Sequence, residues 1–180
     1  MLAIAGFFAV TMETTAIDWA AFRLRDDFGS DAGFAALGYV AVTGGMTLSR
    51  LGGDWAVARI GPRRQMELSV LLAGGGLGLA ALAGARLPSL VGYVVAGAGV
   101  ATLLPTLYDR AAQHHGRPGA ALGALTGGLR TAGLAIPVVV GVLAATGLGV
   151  GGAIAVVTLP SAVGFLVVAG LLGPASERSG

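Results

Sequence analysis

Three ionisable residues stand where an aqueous side chain has no place. Glu13, Asp18 and Arg130 each interrupt a long apolar stretch. A bare carboxylate or guanidinium at the centre of a bilayer costs on the order of 3 kcal/mol even on the lenient insertion scale, so such groups are neutral, paired, or turned towards a wet cavity. Glu13 has the chemistry of a proton carrier or substrate ligand; the alternative is a carboxylic acid hydrogen-bonded to a neighbouring helix. Asp18 is five residues on, a rotation of about 140° and a rise of about 7.5 Å, so the two carboxylates do not share one stripe. It also lies about a turn from a span boundary, where water is near. Arg130 keeps its proton and needs a carboxylate, carbonyls or water. Glu13 or Asp18 are its expected partners, and an anionic substrate is its other use.

The rest of the polar inventory excludes more than it offers. There is no Cys, Lys or Asn in the chain. Disulfides, thiolate metal sites, Schiff bases, the lysine of a Walker-type phosphate loop and N-glycosylation are therefore excluded. His114-His115 lacks the further ligands a metal site requires, so no metal or other cofactor is expected. No serine, histidine and aspartate set suggests a hydrolase, and the chain reads as a non-enzyme. A net charge of +2 carries no nucleic-acid footprint.

The elements that must hold these residues follow from composition. The 180 residues are 55% hydrophobic and 11% charged, with a mean hydropathy of +0.83, against about 25% charged for soluble domains. A span needs about 20 apolar residues, so six spans leave little for any soluble domain. Apolar stretches bounded by charge predict an all-α integral membrane bundle with spans at about 2–22, 33–52, 66–85, 88–108, 120–144 and 151–173, and a tail at 174–180. The connectors are then 23–32, 53–65, a short turn at Arg86-Leu87-Pro88, 109–119 and a glycine-rich turn near 146–150. Arg50, Arg59, Arg63, Arg64, Arg110, Arg117 and Arg178 fall on one side, against Arg23, Arg25 and Arg86 on the other. That bias places both termini in the cytoplasm of a multi-pass plasma-membrane protein. Small residues, among them Gly74 and Gly78 on one stripe and Gly92, Ala96 and Gly99 on another, permit close helix approach. Pro105, Pro137 and Pro160 are expected to kink their helices.

One connector carries a family resemblance. The segment Ser49-Arg50-Leu51-Gly52-Gly53-Asp54-Trp55-Ala56-Val57-Ala58-Arg59-Ile60-Gly61-Pro62-Arg63-Arg64 resembles the signature cytoplasmic loop of the major facilitator superfamily, which joins the second and third helices of each six-helix half. Aligned on Gly61, Arg59 matches the motif arginine and Arg63 its basic end, whereas Ala58 replaces the family aspartate and Asp54 its first glycine. Phe22-Arg23-Leu24-Arg25-Asp26-Asp27-Phe28-Gly29, the run from Gly97 to Pro105 and the run from Thr126 to Gly141 are similar, in order, to the seventh-helix loop, tenth helix and eleventh helix of such transporters.

The resemblance covers the whole chain and implies the C-terminal half of that fold: six helices as two inverted three-helix repeats. It implies membrane transport of a small solute by alternating access, possibly proton-coupled. Glu13, Asp18 and Arg130 would then serve coupling or substrate, and Asp54, Arg59, Gly61, Arg63 and Arg64 the cytoplasmic gate. Its partners would be the lipid bilayer, the solute, and an N-terminal six-helix half or a second copy, since one half offers one wall of a cavity. The rival reading is a non-transporting remnant or packing subunit.

Overall fold

A computed structural model describes residues 1–114 and 117–171, with only the backbone at 53–58 and 62. Among the described residues the chain is all-helical, as a backbone in lipid must be to satisfy its own N–H and C=O groups. The elements are α1 (Leu2–Phe22), α2 (Ala32–Leu82), α3 (Arg86–Val100), α4 (Leu103–Ala112), α5 (Pro118–Leu143) and α6 (Gly149–Leu171), with π-helical turns at Arg23–Asp27 and Ala144–Leu148. Four stretches are long and apolar enough to cross a membrane: Ala32–Gly52, Arg63–Leu82, Arg86–Ala112 and Pro118–Leu171. The last contains both α5 and α6. Leu2–Phe22, which carries Glu13 and Asp18, is not among them.

Two expected connectors are helical, and one expected span is broken. The 53–65 segment is helical and breaks only at Gly61, whose φ of 79° and ψ of 160° suit glycine and not a side chain with a Cβ. Arg86-Leu87-Pro88 is the first turn of α3, where a proline's missing N–H removes no helical bond; the chain turns instead at 83–85. The expected 88–108 span is split, α3 ending before Ala101 and α4 starting at Leu103. Pro105 explains the split: it has no N–H, and its ring collides with the carbonyl four residues back, that of Ala101. A hydrogen bond of 2.7 Å between the hydroxyls of Ser69 and Thr102 braces this break against α2. Pro137 and Pro160, by contrast, lie inside α5 and α6 without ending them.

Hydroxyl groups at depth fold back on their own helices. Thr11, Thr14, Thr131, Thr158 and Ser161 each donate to the carbonyl four residues earlier and so are paired within their own helices, whereas the buried Thr15 hydroxyl of α1 has no partner among the described residues.

Glycines set the helix spacing. α3 lies against both arms of α2. A Cβ on Gly97 would fall on the carbonyl oxygen of Val42, and Gly92 and Gly99 meet the backbone of Ala80 and Ala73 in the same way. The Gly92-Ala96-Gly99 stripe is thus a contact face, but its mate is Ala73-Gly76-Ala80. Gly74 and Gly78 face Ala162 and Leu159 of α6. α1 touches α5 through Gly6 against Leu125 and Gly128 against Ala3, α2 through Ala20 against Gly38, and α6 through Phe8 against Gly164. The core between them holds Met12, Ala16, Val42, Leu77, Tyr93, Leu125, Ile154 and Phe165.

Candidate functional site

Glu13 projects from the middle of α1, flanked on its own helix by the buried Ala9, Met12 and Ala16, and is itself half-buried. Asp18 is exposed, as is Arg130 on α5. Among the described residues no ion pair joins either carboxylate to Arg130, so the expected pairing is not formed. Arg50 of α2 is exposed as well. Arg50 lies one turn beyond Met46 on the stripe Val42-Met46-Arg50, two members of which are in the core.

Beside α1 runs an apolar groove of about 430 Å³, walled by Ile4, Phe7 and Phe8 of α1 and by Ala124, Gly127 and Thr131 of α5. Arg130 precedes Thr131 on the same helix but is not among the residues that wall the groove. The groove offers apolar surface with the Thr131 hydroxyl at one wall.

Of the expected gate residues, the side chains of Asp54 and Trp55 lie outside the described residues. Gly61 is the break itself. Arg63 bonds Glu67 one turn on at 3.0 Å, an exposed pair worth well under about 1 kcal/mol. Arg59 and Arg64 are exposed at the same end. Just inside the break, Gln65 and Met66 are buried, and the Gln65 Oε1 has no hydrogen-bond partner among the described residues. His114 is exposed at the end of α4; His115, Gly116 and the 174–180 tail fall outside the described residues.

The opposite end of the bundle holds a cluster that the sequence reading counted only as loop charge. Arg23 is 8% exposed. Its guanidinium donates to the Ala81 and Ala83 carbonyls at 2.9 and 2.8 Å, stacks on the Phe28 ring, and pairs with Asp27. The Asp27 carboxylate in turn accepts from the backbone N–H groups of Val150 and Gly151 at 3.1 and 2.7 Å. Arg23 therefore satisfies the open carbonyls that end α2, and Asp27 the open N–H groups that begin α6. The dipoles favour each charge where it stands. The signal in sequence was an Arg-x-x-x-Asp pair directly after an apolar span.

The electrostatics of Asp27 give a pH dependence. Burial opposes its ionisation, but the N–H groups of Gly151 and Val150 and the Arg23 guanidinium outweigh that and hold the carboxyl below the usual carboxylate range. A depressed folded-state pKa contributes stability that is present above the unfolded value, about 3.9, and is lost as pH falls through the folded one. Hydrogen-exchange protection of the Val150 and Gly151 amides, taken relative to the intrinsic rate at each pH, is thus expected to be high at neutral pH and to fall in acid below that range. Asp27→Asn is expected to abolish the acid-dependent step, and an unchanged profile in that variant removes Asp27 from it.

No family model matches the chain. Over 101 residues it is 40% identical to the uncharacterized transporter y4wD of Sinorhizobium fredii, matching 56% of this chain but 26% of that protein. The crystal structure of the E. coli fucose:proton symporter FucP (N162A) superposes with a TM-score of 0.83 at 18% identity, covering 96% of this chain and 42% of the symporter. The chain thus spans less than half the length of the proteins it matches. At that identity the likeness speaks for the fold alone: this is a multi-pass membrane chain whose helices are arranged like those in part of the symporter, the kind of fold the signature segment suggested.

Proposed function

We propose that the chain is one half of a secondary transporter that moves a small polar or amphiphilic solute by alternating access, coupled to protons through Glu13. In this reading the helices make six crossings in two inverted repeats, with both termini in the cytoplasm and the Gly61 break at the cytoplasmic face. The observation that carries it is a carboxylate held half-buried in the middle of an apolar helix, in a chain whose fold matches 42% of a proton symporter. Arg130 and the adjoining groove of α1 and α5 form part of the solute wall, the cation anchoring an anionic or polar group and the groove an apolar one. Asp54, Arg59, Gly61, Arg63 and Arg64 position the cytoplasmic gate. The facing wall comes from an N-terminal six-helix half or a second copy of the chain.

Proton-driven solute flux in proteoliposomes tests the reading. Glu13→Gln is expected to leave solute exchange measurable but to remove its dependence on a pH gradient, because the amide cannot exchange a proton. An unchanged pH dependence excludes Glu13 as the carrier. Absence of flux from the fully assembled transporter favours a packing subunit or remnant, the reading that the partial coverage of 42% also accommodates.

A further inference from the structure

The break between α3 and α4 opens polar backbone at a depth where every N–H and C=O needs a partner. One helix ends at Val100 and the next begins at Leu103, with only Ala101 and Thr102 between, so the last carbonyls of α3 and the first N–H groups of α4 point towards each other. Pro105 has no N–H, and the Ala101 carbonyl, four residues back, thereby loses its helical donor. Thr102 is the N-cap of α4, yet its side chain makes no capping bond. It is turned instead onto Ser69 of α2, hydroxyl to hydroxyl at 2.7 Å. Its carbonyl is taken by the N–H and the hydroxyl of Thr106, at 3.2 and 2.8 Å.

The α2 side of the break is polar and sealed. Ser69 is 2% exposed, and in a pair of hydroxyls only one donates to the other, so the second keeps a free O–H. No other bond to either hydroxyl is present among the described residues. Gln65 stands one turn before Ser69 on the same face of α2, where Cβ atoms are about 5–6 Å apart. It is 8% exposed, and its buried Oε1 has no partner among the described residues. A free O–H, a lone amide acceptor and an open carbonyl call for one molecule that both accepts and donates. A simple anion has no proton for the Gln65 Oε1, and a metal cation cannot accept from the hydroxyl. Water does both.

We propose that Gln65, Ser69 and Thr102 hold a buried water molecule in the α3–α4 break: it accepts from the free hydroxyl of the Ser69–Thr102 pair and donates to the Gln65 Oε1 and to the Ala101 carbonyl. Buried waters make about three hydrogen bonds, the number offered here. The site stands independently of what the protein transports.

Two measurements on the solubilised protein test this. X-ray radiolysis makes hydroxyl radicals from water, bound water included, and methionine reports them by oxidation. Met66 adjoins Gln65 and shares a core cluster with Leu103 and Leu107 of α4. It should oxidise several-fold faster than Met46, although Met46 is the more exposed, at 7% against 2%, and Thr102→Val should remove the difference. Oxidation of Met66 no faster than that of Met46 overturns the site. The second measurement is unfolding in denaturant. Gln65→Met nearly keeps the volume but removes the acceptor, and it should lower the folded-to-unfolded ratio about fivefold, the worth of one hydrogen bond. In the Thr102→Val background the same change should cost nothing, because the water has already lost its hydroxyl donor. A Gln65→Met variant more stable than the parent would mean that Oε1 holds no ligand, and an equal loss in both backgrounds would report packing; either result overturns the proposal.

Discussion

Asp27→Ala is expected to lower the stability of the protein by about 3–5 kcal/mol, the cost of leaving a buried charge without its partner. The side chains of Arg23 and Asp27 are only 9% and 17% exposed. Removing the carboxylate strands the guanidinium among the carbonyls that end α2 and leaves the first N–H groups of α6 open at the same time. Asp27→Asn should cost less, because an amide oxygen still accepts from one of those N–H groups. The neighbouring Arg25–Asp26 pair supplies the control: its side chains are 55% and 44% exposed, and Asp26→Ala should change stability by less than about 1 kcal/mol. Thermal unfolding of the solubilised protein, followed by helicity, distinguishes the two. Equal losses at Asp26 and Asp27 would mean that the cluster joins nothing. Gly151 is part of the same arrangement, since a Cβ there would come within 2.7 Å of the Arg23 guanidinium carbon. Gly151→Val should therefore mimic the loss of Asp27 without touching a charge.

The second large effect is expected where helices touch through glycine. Gly97→Ala puts a methyl on the Val42 carbonyl, and the nearby Val42 carbonyl carbon and Cα would lie 2.9 and 3.0 Å away. Backbone cannot rotate aside as a side chain does, so α3 must move off the first arm of α2, at about 1–3 kcal/mol. Gly44, in the same stretch of α2, has nothing within 4 Å of an added Cβ and a helical φ. Gly44→Ala should be stabilising by up to about 1 kcal/mol, the helix-propensity difference between the two residues. Two identical chemical changes with opposite signs are the readout, again by thermal unfolding. A Gly97→Ala variant as stable as the parent would show that the two helices are not in backbone contact.

These expectations rest on features of unequal legibility. A sequence with 32 glycines advertises close packing but not which glycine meets which helix. Gly74 and Gly92 look alike along the chain; one faces a side chain of α6 and the other the backbone of α2. Pro105 was expected to kink its helix and instead stands at a full break between α3 and α4, whereas Pro137 and Pro160 lie inside α5 and α6 without ending them, since neighbouring helices can hold a proline-containing segment together.

The sequence by itself determined the class of the protein and its organisation: apolar helices for a membrane, a basic segment built around Gly61, and a few ionisable residues inside apolar stretches. Those properties depend on composition and on neighbours along the chain. Only the tertiary structure decided that Arg23 and Asp27 close two helix ends, and that among the described residues no ion pair joins Glu13 to Arg130. The reason is physical. Soluble helices betray their inward face by an apolar stripe, but helices meant for lipid are apolar on every side, so their rotation and register are written only in the contacts between them.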